Sequence, residues 1–231
     1  MRYFFDESIQ AWGFFMNGKS GNDFFIFLFL FFFATAISSY LLGSINPAVI
    51  ISKKIYGHDV RDYGSGNAGM TNMFRSFGKK AGFMTLGGDV LKALVSVVIG
   101  FCLMGGPGQY VAGFFCMLGH IFPIYFKFKG GKGVIVSAIT ILLIDPLVFL
   151  ALVLIFALMF AATQIISASS ITAAFFYPLV VYAFNYNNPS IVYFLFSFLM
   201  AAFVIAMHRE NIQRLLNKTE KKFTIKKDGK K

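Results

Sequence analysis

From Phe24 to Ser52 the chain carries no charged side chain, and the run opens on Phe24-Phe25-Ile26-Phe27-Leu28-Phe29-Leu30-Phe31-Phe32-Phe33. About 20 apolar residues suffice to cross a bilayer, so residues 24–51 read as a membrane span. The rest of the chain agrees. It is 57% hydrophobic and 13% charged, against roughly 25% charge in soluble domains. No water-soluble fold of this size hides that much apolar surface. The length of the run, and the lack of a basic flank at its start, set it apart from a cleaved secretory signal. Gly43 and Pro47, late in the span, predict a kink or a close helix contact.

Six further apolar segments follow, at residues 83–104, 109–126, 134–144, 147–163, 171–184 and 191–207. The fourth and sixth of the resulting seven spans are short. Gly105-Gly106-Pro107-Gly108 marks a tight turn. Lysine and arginine placement sets orientation. Of 21 such residues, only Arg2 and Lys19 precede the first span, and the turns at 105–109, 145–146 and 185–189 contain none. The expectation is an all-α, polytopic integral membrane protein of about seven transmembrane helices, N-terminus outside and C-terminus cytoplasmic. Its parts are an extracytoplasmic segment 1–23, a membrane domain 24–220 and a basic cytoplasmic tail 221–231.

Several other signals are weak. The net charge of +11 does not indicate nucleic acid, because the basic residues are dispersed among apolar segments and at the C-terminus. Cys102 and Cys116 lie inside apolar runs and read as packing residues. Gly13-Phe14-Phe15-Met16-Asn17-Gly18-Lys19-Ser20 satisfies a P-loop pattern, but that motif needs a strand before it and a helix after it within an α/β domain. It reads as coincidence.

Four polar stretches fall on the expected cytoplasmic face: 64–75, 127–133, 164–170 and 208–220. In the first, glycines free the backbone to turn several N–H groups toward one anion. Ser65, Asn67, Thr71 and Asn72 add neutral donors, and Arg75 adds a planar fork suited to phosphate. The second sets Lys127, Lys129 and Lys132 among Gly130, Gly131 and Gly133. Their amides and the Lys132 charge could meet phosphate oxygens. A solvated basic loop facing anionic lipid is the plainer alternative. In the fourth, His208 and Asn211 share a helix face. Asp89 and Lys92 also share one, open to reading as a functional pair or as an interfacial ion pair. Nothing has the ligand spacing of a metal site, and no G-x-S-x-G elbow supplies a serine nucleophile.

These residues carry a resemblance. Ser65-Gly66-Asn67-Ala68-Gly69-Met70-Thr71-Asn72-Met73-Phe74-Arg75 resembles the first signature of the acylphosphate-dependent glycerol-3-phosphate acyltransferases, the PlsY family. Gly119-His120-Ile121-Phe122-Pro123 with Phe128-Lys129-Gly130-Gly131-Lys132-Gly133-Val134 resembles the second. His208-Arg209-Glu210-Asn211-Ile212, Arg214-Leu215-Leu216 and Thr219-Glu220 resemble the third, and Ser167-Ala168-Ser169-Ser170-Ile171 a further stretch. The chain departs from the family at Asn46, which interrupts a usual Ser-Ile-Pro, and at Met70, Ala93, Gln164 and Lys218, the last at a position that is usually glycine.

The resemblance implies a seven-span enzyme that moves an acyl chain from acyl phosphate to glycerol 3-phosphate. The products are lysophosphatidate and phosphate, at the first acylation of bacterial phospholipid synthesis. It implies catalytic roles for Ser65, Arg75, Lys132 and Asn211. It implies substrate contacts from Gly66, Asn67, Thr71, Asn72, Gly130, Gly131, Gly133, Ser167, Ser170, His208 and Glu220. No metal or other cofactor and no covalent enzyme intermediate are expected. The expected partners are the two substrates and membrane lipid, not nucleic acid, with oligomeric state left open and a monomer among the options. The expected location is the bacterial cytoplasmic membrane, with the site on its inner face. An organic-phosphate transporter would instead place polar groups at the bilayer midplane and on both faces. A lipid-binding scaffold would explain the basic tail but not the paired glycine loops.

Overall fold

The computed structural model describes residues 21–185 and 190–223. The P-loop-like stretch, most of segment 1–23 and most of the tail lie outside them. Among the described residues there are nine α-helices and no strand. They are α1 (Gly21–Ser44), α2 (Pro47–Tyr56), α3 (Met70–Phe77), α4 (Lys79–Ile121), α5 (Val134–Ile144), α6 (Pro146–Thr163), α7 (Ile166–Phe184), α8 (Ile191–Met207) and α9 (Arg209–Leu216).

By length and hydropathy, four stretches can cross a membrane: Phe25–Tyr56, Lys79–Phe126, Pro146–Thr163 and Ile166–Phe184. A fifth qualifies when α8 and α9 are taken together across their 59° bend. Large apolar side chains point outward, among them Phe25, Phe29, Leu154, Leu158, Phe198 and Leu195. The interior holds apolar side chains such as Met73, Met117, Ile121 and Met200, and with them small polar residues such as Thr35, Ser39, Ser96 and Ser197. Apolar side chains on the outside and small polar ones within suit a chain solvated by lipid, where helices associate through small residues and internal hydrogen bonds.

The chain divides into two compact units. The first comprises Met1–Asn46, Gly87–Gly131 and Ile135–Asp145. Here α4 is two helices joined at Gly105, whose φ of 66° and ψ of −144° are not helical. The arms fold back on each other, because a Cβ on Gly100 would strike the Gly108 carbonyl and one on Gly108 the Gly100 carbonyl. The second arm lies against α1, where Gly43 meets the Cys116 backbone and Gly119 meets the Tyr40 carbonyl. Tyr40 Oη donates to the Phe122 carbonyl at 2.8 Å. Cys116 is buried in this contact and Cys102 is exposed.

The first unit has a charged core. Lys92 Nζ lies 2.9 Å from Asp89 Oδ1 and 2.8 Å from His120 Nδ1, and His120 Nδ1 lies 3.2 Å from Asp89 Oδ1. All three side chains are buried. Lys92 also donates to the Gly43 and Ile45 carbonyls, at 3.1 and 3.0 Å. It thereby satisfies acceptors left orphaned where α1 ends. The Asp89–Lys92 pair, which the sequence left open as functional or interfacial, is a buried clasp that receives the end of α1.

The second unit comprises Pro47–Leu86, Lys132–Val134 and Pro146–Lys231. In it α6, α7 and α8 pack in sequence, with Tyr177 of α7 edge-on to Tyr193 of α8 at 6.5 Å. Helix α7 corrects one expectation. It begins at Ile166 and runs 19 residues, so 164–170 is mostly helix rather than a polar loop. Ser169 and Ser170 return their hydroxyls to the carbonyls of Ile165 and Ile166, which lets them lie buried within a helix. The loop from α2 to α3 is pinned at Asp59. Its carboxylate accepts from Arg61 N at 3.0 Å, from Arg61 Nη2 at 2.7 Å, and pairs with Lys53 at 3.1 Å. The Arg61 guanidinium holds that carboxyl well below the usual range.

Candidate active site

Lys132, Asn211, Glu220, Ser167 and Arg214 form one hydrogen-bonded chain within the second unit. Lys132 Nζ donates to Asn211 Oδ1. An ammonium only donates, so the oxygen end of Asn211 faces it and the amide nitrogen faces away. That nitrogen donates to Glu220 Oε1 at 2.6 Å. Ser167 Oγ donates to the same oxygen at 2.7 Å, and Arg214 Nε donates to Glu220 Oε2 at 2.6 Å. Burial alone would raise the Glu220 carboxyl, but these donors outweigh it and hold the group below its ordinary value.

The sequence places these groups through local rules. Asn211 is the third residue of α9 and is buried, as the i, i+3 pairing with His208 requires. Glu220 is turned back by the end of α9. Lys218 N donates to the Leu215 carbonyl at 3.1 Å and Thr219 N to the Arg214 carbonyl at 2.8 Å, with Lys218 at φ 57°. That is a Schellman motif, and its left-handed position favours glycine. This chain holds that left-handed position with a lysine.

Two cations stand in excess. Burial pushes the Lys132 ammonium down to about 8, Arg214 and Arg75 add to the shift, and Glu220 and Glu210 oppose it. Arg75 is therefore close enough for its charge to act on Lys132. Arg214 is neutralised by Glu220. Among the described residues, neither Arg75 nor Lys132 is ion-paired with a carboxylate. Arg75 Nη2 donates to the Lys221 carbonyl at 3.3 Å, while its Nε is buried with no partner. An unpaired buried donor such as Arg75 Nε is costly, and with two cations that no carboxylate pairs it marks a place for an anion.

His208 stands between α8 and α9, its Nδ1 2.7 Å from the Val204 carbonyl. Burial pushes its imidazole down to about 4, with Lys132 adding to the effect. The ring is neutral near pH 7, Nδ1 carries the proton that Val204 accepts, and Nε2 is left as an acceptor.

The glycine stretches behave differently from expectation. Asn72, expected as a ligand donor, braces its own loop. Its Nδ2 reaches the Val60, Tyr63 and Asn67 carbonyls at 3.1, 2.9 and 3.1 Å, and its Oδ1 accepts from Ser65 N at 3.0 Å. Gly64, at φ 62°, has no room for a Cβ beside Asn72 Oδ1. Gly66 N donates to the Tyr63 carbonyl at 3.0 Å. Gly130 N and Gly131 N donate to the Ile121 and His120 carbonyls at 3.1 and 3.0 Å, so neither amide is turned to an anion. These two glycines allow close approach instead, since a Cβ on Gly131 would overlap His120 Nε2. Gly133 takes φ 81° and opens α5. Ser65 is exposed and Asn67 and Thr71 half-buried, while Gly69 precedes α3 at the cap position and gives it no side-chain cap. Among the described residues, no hydrogen bond takes up the hydroxyl of Ser65 or Thr71. Ser170 spends its hydroxyl on Ile166 O. Sequence reasoning gave Arg214 no role. Its partner Glu220 lies six residues on, past a helix end, where no periodicity rule reaches.

Residues 33–218 match the family model described as glycerol-3-phosphate acyltransferase. The chain belongs to that family. It is 39% identical over 186 residues to the glycerol-3-phosphate acyltransferase of Bacillus subtilis, covering 80% of this chain and 94% of that one. It is 41% identical over 188 residues to that of Thermoanaerobacter sp., covering 81% and 93%. The fold is similar to the crystal structure of PlsY, an integral membrane glycerol 3-phosphate acyltransferase, in its glycerol 3-phosphate form. That match has a TM-score of 0.77 and 33% identity, covering 84% of this chain and 96% of that one. The lysophosphatidic acid form of the same enzyme matches with a TM-score of 0.74. The chain is thus an integral membrane acyltransferase acting on glycerol 3-phosphate.

Proposed function

We propose that the acyl donor is an acyl phosphate, and that Arg75 and Lys132 hold phosphate between them while the acyl group passes to glycerol 3-phosphate. The observation that carries this reading is the excess of two cations, Arg75 and Lys132, beside a buried donor with no partner. Both substrates carry phosphate, and both cations present donors with no carboxylate to quench them. The hydroxyl oxygen of glycerol 3-phosphate attacks the acyl carbonyl carbon. The bond from that carbon to the phosphate oxygen breaks, and phosphate departs with the electron pair. The hydroxyl proton passes to a phosphate oxygen, because the neutral imidazole of His208 is too weak a base near pH 7. Acyl phosphate is already activated, so no acyl-enzyme intermediate is required.

In this reading Lys132 and Arg75 stabilise the charge that grows on the leaving phosphate. Asn211, held between Lys132 and Glu220, fixes the ammonium in place. His208 Nε2 accepts from a glycerol hydroxyl. Ser65, Thr71 and the uncapped start of α3 offer further neutral donors. Ser167 acts by orienting Glu220. The membrane domain crosses seven times, counting the two arms of α4 and the short α5, with the N-terminus outside. The site then opens to the cytoplasm. The test is purified protein in lipid with palmitoyl phosphate and labelled glycerol 3-phosphate. Lysophosphatidate is expected, and its absence from folded protein would refute the donor.

A further inference from the structure

The segment after α9 is tied down at its far end. Phe223 N donates to the Gln164 carbonyl at 2.8 Å. The Phe223 ring lies edge-on to Phe74 and to Phe160, 6.3 Å from each. Phe74 is itself fixed. It is buried, it meets Phe83 edge-on at 5.1 Å, and a Cβ on Gly82 would strike its ring. Gln164 takes φ 58° at the turn between α6 and α7, which presents its carbonyl outside either helix. So Phe223 is a hook seated between α3 and α6.

What lies between the hook and α9 belongs to the site. Glu220 receives Asn211, Ser167 and Arg214, and the Lys221 carbonyl receives Arg75 Nη2. Phe74 adjoins Arg75 on α3, so the ring under the hook and the guanidinium share one turn of helix. We infer that Phe223 is a positioning residue: it holds the strap 219–223 so that its Lys221 carbonyl orients Arg75 and its Glu220 orients Asn211 and Lys132. The family match ends at residue 218 and does not reach this residue. The exposed Lys218, Lys221 and Lys222 show that the strap is held at a few points rather than enclosed. The inference rests on the assignment of Arg75 and Lys132 to phosphate.

The test compares wild type, Phe223→Ala and Phe223→Trp, each checked for thermal midpoint. Glycerol 3-phosphate binding by calorimetry needs no acyl donor, so it separates this inference from the choice of donor. Phe223→Ala should weaken that binding about tenfold, equivalent to ~1.4 kcal/mol of binding free energy. The midpoint should stay near that of wild type. Phe223→Trp, which refills the seat, should restore binding. Trypsin should cut after Lys221 about tenfold faster in Phe223→Ala, because cleavage tracks the released population. Faster cleavage with unchanged glycerol 3-phosphate affinity would overturn the inference, as would wild-type affinity and cleavage together. A wild-type protein that binds glycerol 3-phosphate but makes no product from palmitoyl phosphate would count against the donor and not against the strap.

Discussion

Lys132 is charged below its pKa of about 8 and neutral above it, whereas an ordinary lysine stays charged to beyond pH 10. Its phosphate-binding charge is therefore lost as pH rises through 8. The profile of kcat/KM for glycerol 3-phosphate, which reports the free enzyme, should fall above that point. In Lys132→Arg the fall should vanish whatever the absolute rate, because guanidinium does not titrate in this range. Removing either cation should cost more. Arg75→Ala or Lys132→Ala should lower turnover about 10²-fold or more, the scale of losing one charge-stabilising donor. In the first unit, Asp89→Ala should leave Lys92 buried without its carboxylate. Breaking a buried pair from one side costs about 3–5 kcal/mol, so the melting temperature should drop sharply or the protein fail to fold.

At the scale of elements, the end of α9 offers a test of backbone strain. Lys218 stands left-handed at φ 57°, a conformation that costs a residue with a Cβ roughly 1 kcal/mol. Lys218→Gly should raise the thermal midpoint by about 2–4 °C, the shift such an energy gives in a chain of this length. The helices themselves were readable in sequence where apolar runs were cleanly bounded, as at α5, α6 and α8. The start of α7 was not, because Ser167, Ser169 and Ser170 look like a loop until their hydroxyls are seen in helix contacts. The signature glycines were legible as special positions, yet not in their use. Gly130 and Gly131 look like an anion cradle on paper, but their amides serve the His120 turn. The Asp89–Lys92–His120 clasp was half visible. The i, i+3 pair could be read, but the partner 28 residues beyond Lys92 depends on how α4 folds back at Gly105. Arg75, Lys132, His208, Asn211 and Glu220 were named from pattern and resemblance, and the structure brings them within reach of one another's charge or hydrogen bonds.

For the whole molecule, the proposed seven-crossing arrangement makes an experimental claim about sidedness. In sealed vesicles, a membrane-impermeant thiol reagent should label Lys80→Cys only from the cytoplasmic side and Asn185→Cys only from the other. Labelling of both from one side would remove a crossing between them. The central claim is narrower: Arg75, carried by α3, and Lys132, carried just before α5, meet one phosphate. A double-mutant cycle on glycerol 3-phosphate affinity tests it most directly, using Arg75→Ala, Lys132→Ala and both together. Shared work on one anion predicts that the second removal costs less than the first, with a coupling of about 1 kcal/mol or more. Losses that simply add, to within about 0.5 kcal/mol, would mean that the two cations do not share a ligand.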